Sequence, residues 1–234
     1  MLKKTNLEAI LEKAKKFVDV VEIKPDEKYP FICSHPFTTS IFVYGKDGNL
    51  CDLSKEEDYL RWRKGLFRYI DECKSVEDIF CFLNTSWYLT FLKFTKDNMS
   101  LEDFSRAFGK AWVAQEDPNG DKNVPIRTSA SWFKRADKKE LMTKKDYEKW
   151  STFETGLVVY RGVAVGRKPK GLSWTTSLEK AEWFAHRFDT DQEEGYVEKI
   201  VVSDKKNILC YFSTRDEEEV VIDTFSERGI EIIK

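Results

Sequence analysis

Apolar residues recur at helical spacing from the start of the chain. Leu7, Ile10, Leu11, Ala14 and Phe17 fall on one face of a 3.6-residue repeat, with charges between them, which predicts an amphipathic helix. A Pro-punctuated stretch with Pro25, Pro30 and Pro36 follows. Next comes Ser-Ile-Phe-Val-Tyr-Gly-Lys-Asp-Gly-Asn-Leu, residues 40–50, read as a strand and a Gly-containing turn. Ser54-Lys55-Glu56-Glu57 fits a capping box and opens a helix with Leu60, Phe67 and Ile70 on one face. Ser75-Val76-Glu77-Asp78 begins an aromatic-rich helical block running to Phe94. Ser100 begins another, with Leu101, Phe104, Phe108, Ala111 and Trp112 at helical intervals. These aromatic stripes read as core. Asp117-Pro118-Asn119-Gly120-Asp121 is a loop, and Thr143 is placed to cap one more helix.

At Gly156 the period changes. Leu157-Val158-Val159-Tyr160 is a β-type run, Leu178 to Phe188 a short helix, and residues 196–202, 207–212, 219–223 and 230–233 are strands. The expected fold is α+β: a mainly helical region over 1–152 packed on a mostly antiparallel β-core over 153–234, as one continuous structural unit. No Gly/Ser linker separates the two textures, and there is no internal repeat.

Composition narrows the chemistry. Of 234 residues, 41% are hydrophobic and 14% aromatic, enough for a real core; 39 Lys and Arg against 41 Asp and Glu leave no whole-chain footprint for nucleic acid. Five cysteines, none spaced Cys-x-x-Cys, argue against a disulfide framework or zinc site, and only His35 and His186 are available as imidazole ligands or bases. No metal is expected. The N-terminus lacks a continuous apolar segment and no stretch reaches about 18 apolar residues, so a cytoplasmic protein without membrane contact is expected.

The candidate chemistry lies in three fragments: Tyr160-Arg161-Gly162 ending a strand, Ser173-Trp174-Thr175-Thr176-Ser177 leading into a helix, and Glu217-Glu218-Glu219 leading into Val-Val-Ile. A guanidinium binds phosphate oxygens bidentately, and Gly162 permits close backbone approach. Hydroxyls can bond a carboxylate or a ribose, and a carboxylate stabilises an oxocarbenium-like transition state. Glu217 shares the face of Glu219 if the strand has begun there. Singly, each fragment has a plainer reading: an exposed strand-end arginine, a helix cap, a solvated charge run.

In this order the fragments resemble the R-S-E class of mono-ADP-ribosyltransferases of bacterial toxins and phage proteins, over about residues 156–223. The resemblance implies NAD as co-substrate, an NAD-binding β-core of the ADP-ribosyltransferase type, split in form, with a helical lobe, Glu219 as catalytic glutamate, and Glu217 serving the acceptor. Arg161 matches the motif arginine and Thr175-Thr176-Ser177 the hydroxyl motif, with Ser173 offering a second register. Trp174 and Phe184 are nicotinamide-pocket aromatics or core. The segment from Cys210 to Asp216 falls where the family places its acceptor-recognising turn. The separation between Arg161 and the hydroxyl motif is shorter than in many toxin members.

The acceptor is left open between an RNA base and a protein arginine. Basic residues Lys134, Arg135, Lys138, Lys139, Lys144 and Lys145 near Trp132, and Arg167, Lys168 and Lys170, can hold phosphates or form solvated faces. An NAD glycohydrolase and a non-catalytic NAD-binding module are the competing readings. For a toxin-like or phage-defence effector, an inhibitor or antitoxin protein is the expected partner.

Overall fold

The computed structural model describes residues 2–45, 48–214 and 217–233. The chain divides into two compact units, the first ending at Gln115 and the second beginning at Glu116. Both are mixed or α+β in character. The expected boundary near residue 152 therefore differs from the observed division by three helices, which are grouped with the sheet that follows them.

The first unit contains helices α1 (Leu7–Val18), α2 (Glu56–Glu72), α3 (Val76–Phe80), α4 (Tyr88–Thr95) and α5 (Leu101–Ala114). Two short antiparallel pairs join them: β1 (Ile32–His35) with β2 (Thr38–Ser40), and β3 (Phe42–Tyr44) with β4 (Leu50–Asp52). Residues 46 and 47 of the anticipated Gly-containing turn lie outside the described residues. The aromatic stripes are core: Phe80, Phe91, Phe104, Phe108 and Trp112 are essentially inaccessible, and Phe17 packs edge-on to Phe91 at 5.5 Å between ring centroids.

Caps fix several helix starts. Ser75 and Asp78 form a reciprocal capping box, and the Ser100 hydroxyl accepts from the Asp103 amide. Ser54 does not cap α2. Its hydroxyl donates to Asp52, and Lys55 occupies the cap position without a side-chain bond. The helix buries Leu66 and Ile70, whereas Leu60, expected on the same face as Ile70, is exposed to solvent.

The second unit opens with α6 (Ile126–Arg135), α7 (Lys138–Leu141) and α8 (Lys144–Ser151), the last capped by Thr143. Strands β5 (Val158–Val163), β6 (Ser173–Thr175), β7 (Tyr196–Val201), β8 (Ile208–Phe212), β9 (Glu219–Ile222) and β10 (Glu231–Ile232) follow, with α9 (Leu178–His186) between β6 and β7. They form one six-stranded antiparallel sheet in the order β10-β7-β5-β6-β9-β8. Side chains alternate across it. One face carries Val159, Trp174, Ile200, Val220 and Ile222, packed with Phe153 and Trp150. The other receives α9 through Ala181 and Ala185 against Val197 and Tyr160. Among the described residues no helix is long and apolar enough to cross a membrane.

Candidate functional site

Pairing register brings the three sequence fragments onto neighbouring strands. Tyr160 on β5 pairs with Thr175 on β6, and Thr175 pairs with Glu219 on β9. Directly opposed residues share a face, with β-carbons about 5 Å apart. That face is the α9 side, because Tyr160 packs on Ala181 and Ala185, while the alternating neighbours Trp174 and Val220 lie in the core on the other side.

The hydroxyls divide their work. Thr175 is buried and its Oγ1 accepts from the Ser177 amide at 3.2 Å. Its own O–H remains available to donate. The Ser177 hydroxyl caps α9, accepting from the Lys180 amide at 3.2 Å. Ser173, the alternative register, accepts from Asn119 Nδ2 at 2.8 Å, and Asn119 Oδ1 in turn accepts from the Leu172 amide. Its hydroxyl thus anchors the 117–121 loop.

Arg161 alternates to the face opposite Tyr160. Its Nη1 donates to the Ser173 carbonyl at 2.8 Å and its Nη2 to the Lys168 carbonyl at 3.4 Å, so the guanidinium staples the 164–172 loop. Gly171 leaves room for the guanidinium there: a β-carbon would stand 2.1 Å from the Arg161 guanidinium carbon, and the arginine would have to move aside. The residue paired with Arg161 across β5 and β7 is Glu198, buried to 4% exposure. Burial lowers the Arg161 basicity, opposed chiefly by Glu198. Burial likewise raises the Glu198 carboxyl, opposed by Arg161. Arg161 Nε and Glu198 Oε2 both lie buried without a hydrogen-bond partner.

Three sequence assignments gain a structural reason of their own. Trp174 is a core side chain, 2% exposed, whose indole N–H donates to the Gly171 carbonyl. Gly162 sits against α9: a β-carbon would lie 2.2 Å from the Ala181 carbonyl oxygen and 2.4 Å from the Ala185 nitrogen. Phe184 is partly exposed on α9, near Trp183 and under the Arg187 guanidinium at 5.2 Å.

The expected shared face of Glu217 and Glu219 does not follow from strand alternation. β9 begins at Glu219, and Glu218 has φ +50°, which interrupts the extended path. Glu218 is instead held from α9: Thr176 Oγ1 donates to its Oε2 at 3.3 Å and Lys180 Nζ lies 3.3 Å from its Oε1. In the segment anticipated as an acceptor turn, Tyr211 and Phe212 are buried sheet residues, and residues 215 and 216 lie outside the described residues.

Two cations of the first basic group face carboxylates and two others are engaged by neutral groups. Lys134 pairs with buried Asp223, Lys138 donates to the Phe133 carbonyl, Lys139 lies over Tyr147, and Lys144 approaches Glu148. Trp132 is buried. Arg167 pairs with Asp117. Among the described residues, no group of three or more His, Cys, Asp or Glu side chains is arranged to hold a metal ion.

Sequence reasoning missed Glu198 and Glu218. Glu198 had a signal: it lies on the same alternation phase as the apolar Ile200, where a lone carboxylate implies a buried counter-ion. No family model, curated protein or solved structure matches the chain.

Proposed function

We propose that this chain is an NAD-dependent mono-ADP-ribosyltransferase that uses the β-core of that enzyme class and transfers ADP-ribose to a macromolecular acceptor, an RNA base or a protein arginine. The observation that carries the reading is the rung Tyr160, Thr175, Glu219 across three adjacent strands, with Arg161 next to it. Residues 15 and 44 positions apart in the chain arrive at one level of one sheet, in the order the chemistry needs.

In this reading the bond between the nicotinamide nitrogen and ribose C1′ breaks, and the electron pair leaves with nicotinamide. The Glu219 carboxylate stabilises the cation left on the ribose, and the Thr175 O–H orients that carboxylate or a ribose hydroxyl. The acceptor attacks C1′ and loses its proton to Glu217. Thr176 and Ser177 act from the start of α9, the first by holding Glu218 and the second by capping the helix. Tyr160 and Phe184 provide aromatic surface on the α9 side. Arg161 orders the 164–172 loop from the opposite face of the sheet and contributes positive potential toward the pyrophosphate; a direct bidentate grip requires the guanidinium to leave its carbonyl bonds and its place beside Glu198 and to reach the α9 face.

The test is incubation with NAD labelled in the adenylate portion, with cellular RNA and protein supplied as separate fractions. Label on one fraction with nicotinamide released is the expected result, and Glu219→Gln should reduce turnover by about 100-fold or more while the melting temperature stays close to wild type. Free ADP-ribose alone identifies a glycohydrolase. Binding of NAD without turnover identifies a non-catalytic module, and full activity in Glu219→Gln refutes the site.

A further inference from the structure

Glu218 is the middle residue of Glu217-Glu218-Glu219, and it is one of two described non-glycine residues with positive φ. Left-handed backbone is unfavourable for a residue with a β-carbon, whereas glycine adopts it freely. A glutamate at such a place therefore needs a reason in its side chain. Both carboxylate oxygens are engaged, one by the Thr176 hydroxyl and the other by the Lys180 ammonium. Lys180 lies in the first turn of α9, and Thr176 belongs to the hydroxyl motif that leads directly into that helix.

Continued strand alternation would place residue 218 on the face of Val220, inside the apolar cluster with Trp174 and Ile222. The positive φ turns it away from that cluster and toward α9. The chain then enters β9 at Glu219, which pairs with Thr175 on the α9 side. The conformation that lets Glu218 reach α9 is also the one that sets the bearing of the residues before and after it.

We propose that Glu218 is a positioning residue: its attachment to Thr176 and Lys180 fixes the direction of Glu219 toward the ribose and of Glu217 toward the acceptor. This rests on the ADP-ribosyltransferase reading. A glycine at 218 keeps the backbone geometry and removes the attachment. Glu218→Gln keeps a group able to accept from Thr176 and removes the charge facing Lys180.

The experiment measures kcat, KM for NAD, the ratio of acceptor labelling to free ADP-ribose, and melting temperature for wild type, Glu218→Gly, Glu218→Gln, Lys180→Met and Lys180→Arg. Glu218→Gly should melt at or above the wild-type temperature, lose about 10- to 100-fold in kcat with KM changed less than about twofold, and shift products toward free ADP-ribose. Glu218→Gln and Lys180→Met should lose activity in the same direction, and Lys180→Arg should restore it. Wild-type kcat and product ratio in Glu218→Gly overturn the positioning role while leaving the enzyme reading intact. If Glu218→Gly proves unstable, unchanged kcat and product ratio in both Glu218→Gln and Lys180→Met overturn it equally. A wild-type protein that does not turn over NAD overturns both.

Discussion

In the first unit, buried polar groups find partners close by: His35 lies under the helical layer with Nε2 2.8 Å from the Val18 carbonyl and Nδ1 accepting from the Phe37 amide. In the second unit many do too, as with Asn207 on Glu227 and Asp146 on Thr143 and Ser213, yet more single atoms are left over. Among the described residues, Ser129 Oγ, Arg161 Nε, Arg187 Nε, Glu198 Oε2 and Asp223 Oδ1 are buried without a hydrogen-bond partner, against Glu77 Oε1 alone in the first unit. Even Glu77 lies 3.8 Å from Arg106. Both described non-glycine residues with positive φ, Lys170 and Glu218, are also in the second unit. Unpaired buried groups and left-handed backbone cost stability, and they persist where surrounding structure enforces them, commonly at functional sites. Buried polar atoms left without a partner are thus more numerous in the second unit, and two of them, Arg161 Nε and Glu198 Oε2, lie on strands β5 and β7 beside the candidate rung.

That contrast predicts different breaking points. Phe91→Ala should destabilise the first unit by about 3–5 kcal/mol through a cavity, and Glu198→Ala should destabilise the second by about 1–3 kcal/mol by removing the chief charge that opposes the burial of Arg161. Hydrogen exchange on peptides from α4 and α5 and from β5 and β7 separates the two effects. Uniform loss of protection across both units in either variant would break the comparison.

An effect comparable to that of Glu198→Ala is expected at Gly162. Because a β-carbon there would overlap the α9 backbone, Gly162→Ala should cost about 1–3 kcal/mol and displace α9. Circular dichroism melting and exchange rates in residues 178–186 measure it; an unchanged melt would show that the helix yields freely.

The smallest effect concerns acid. Burial lowers the His35 basicity, and its two ring nitrogens are matched to the neutral form with the proton on Nε2. The unfolded state then binds a proton more readily, so stability is full above about pH 6.5 and declines as pH falls from there toward the lower folded value. Denaturant midpoints of the first unit at pH 7.5 and 5.5 test this, with His35→Gln expected to flatten the dependence. A first unit that gains stability on acidification would contradict the assigned tautomer.

Much of this was readable along the chain, and the parts that were not share a physical cause. Helical periodicity announced α1 and α5, side-chain caps announced α3, α5 and α8, and the change to β-type runs at Gly156 announced the sheet, because each depends on neighbours within a few residues. Ser54 shows the limit of such local rules, since Asp52 is an equally near partner for its hydroxyl. The candidate fragments were visible as residue types, but their meeting on one rung was not, because register is set by which strands pair.

The sequence by itself determined most of the helices and longer strands, the aromatic core residues and the three chemical fragments in their order, while the short strands β1, β2 and β6 were not legible in it. Only the tertiary structure decided that Trp174 belongs to the core, that Ser173 is committed to Asn119, that Arg161 faces Glu198, and that Glu218 is drawn to α9. Those outcomes depend on partners 37 residues or more away, or on which face of a sheet is buried. Periodicity carries the shape of a segment, whereas the pairing of charges and hydroxyls arises only when distant segments exclude water from the same place.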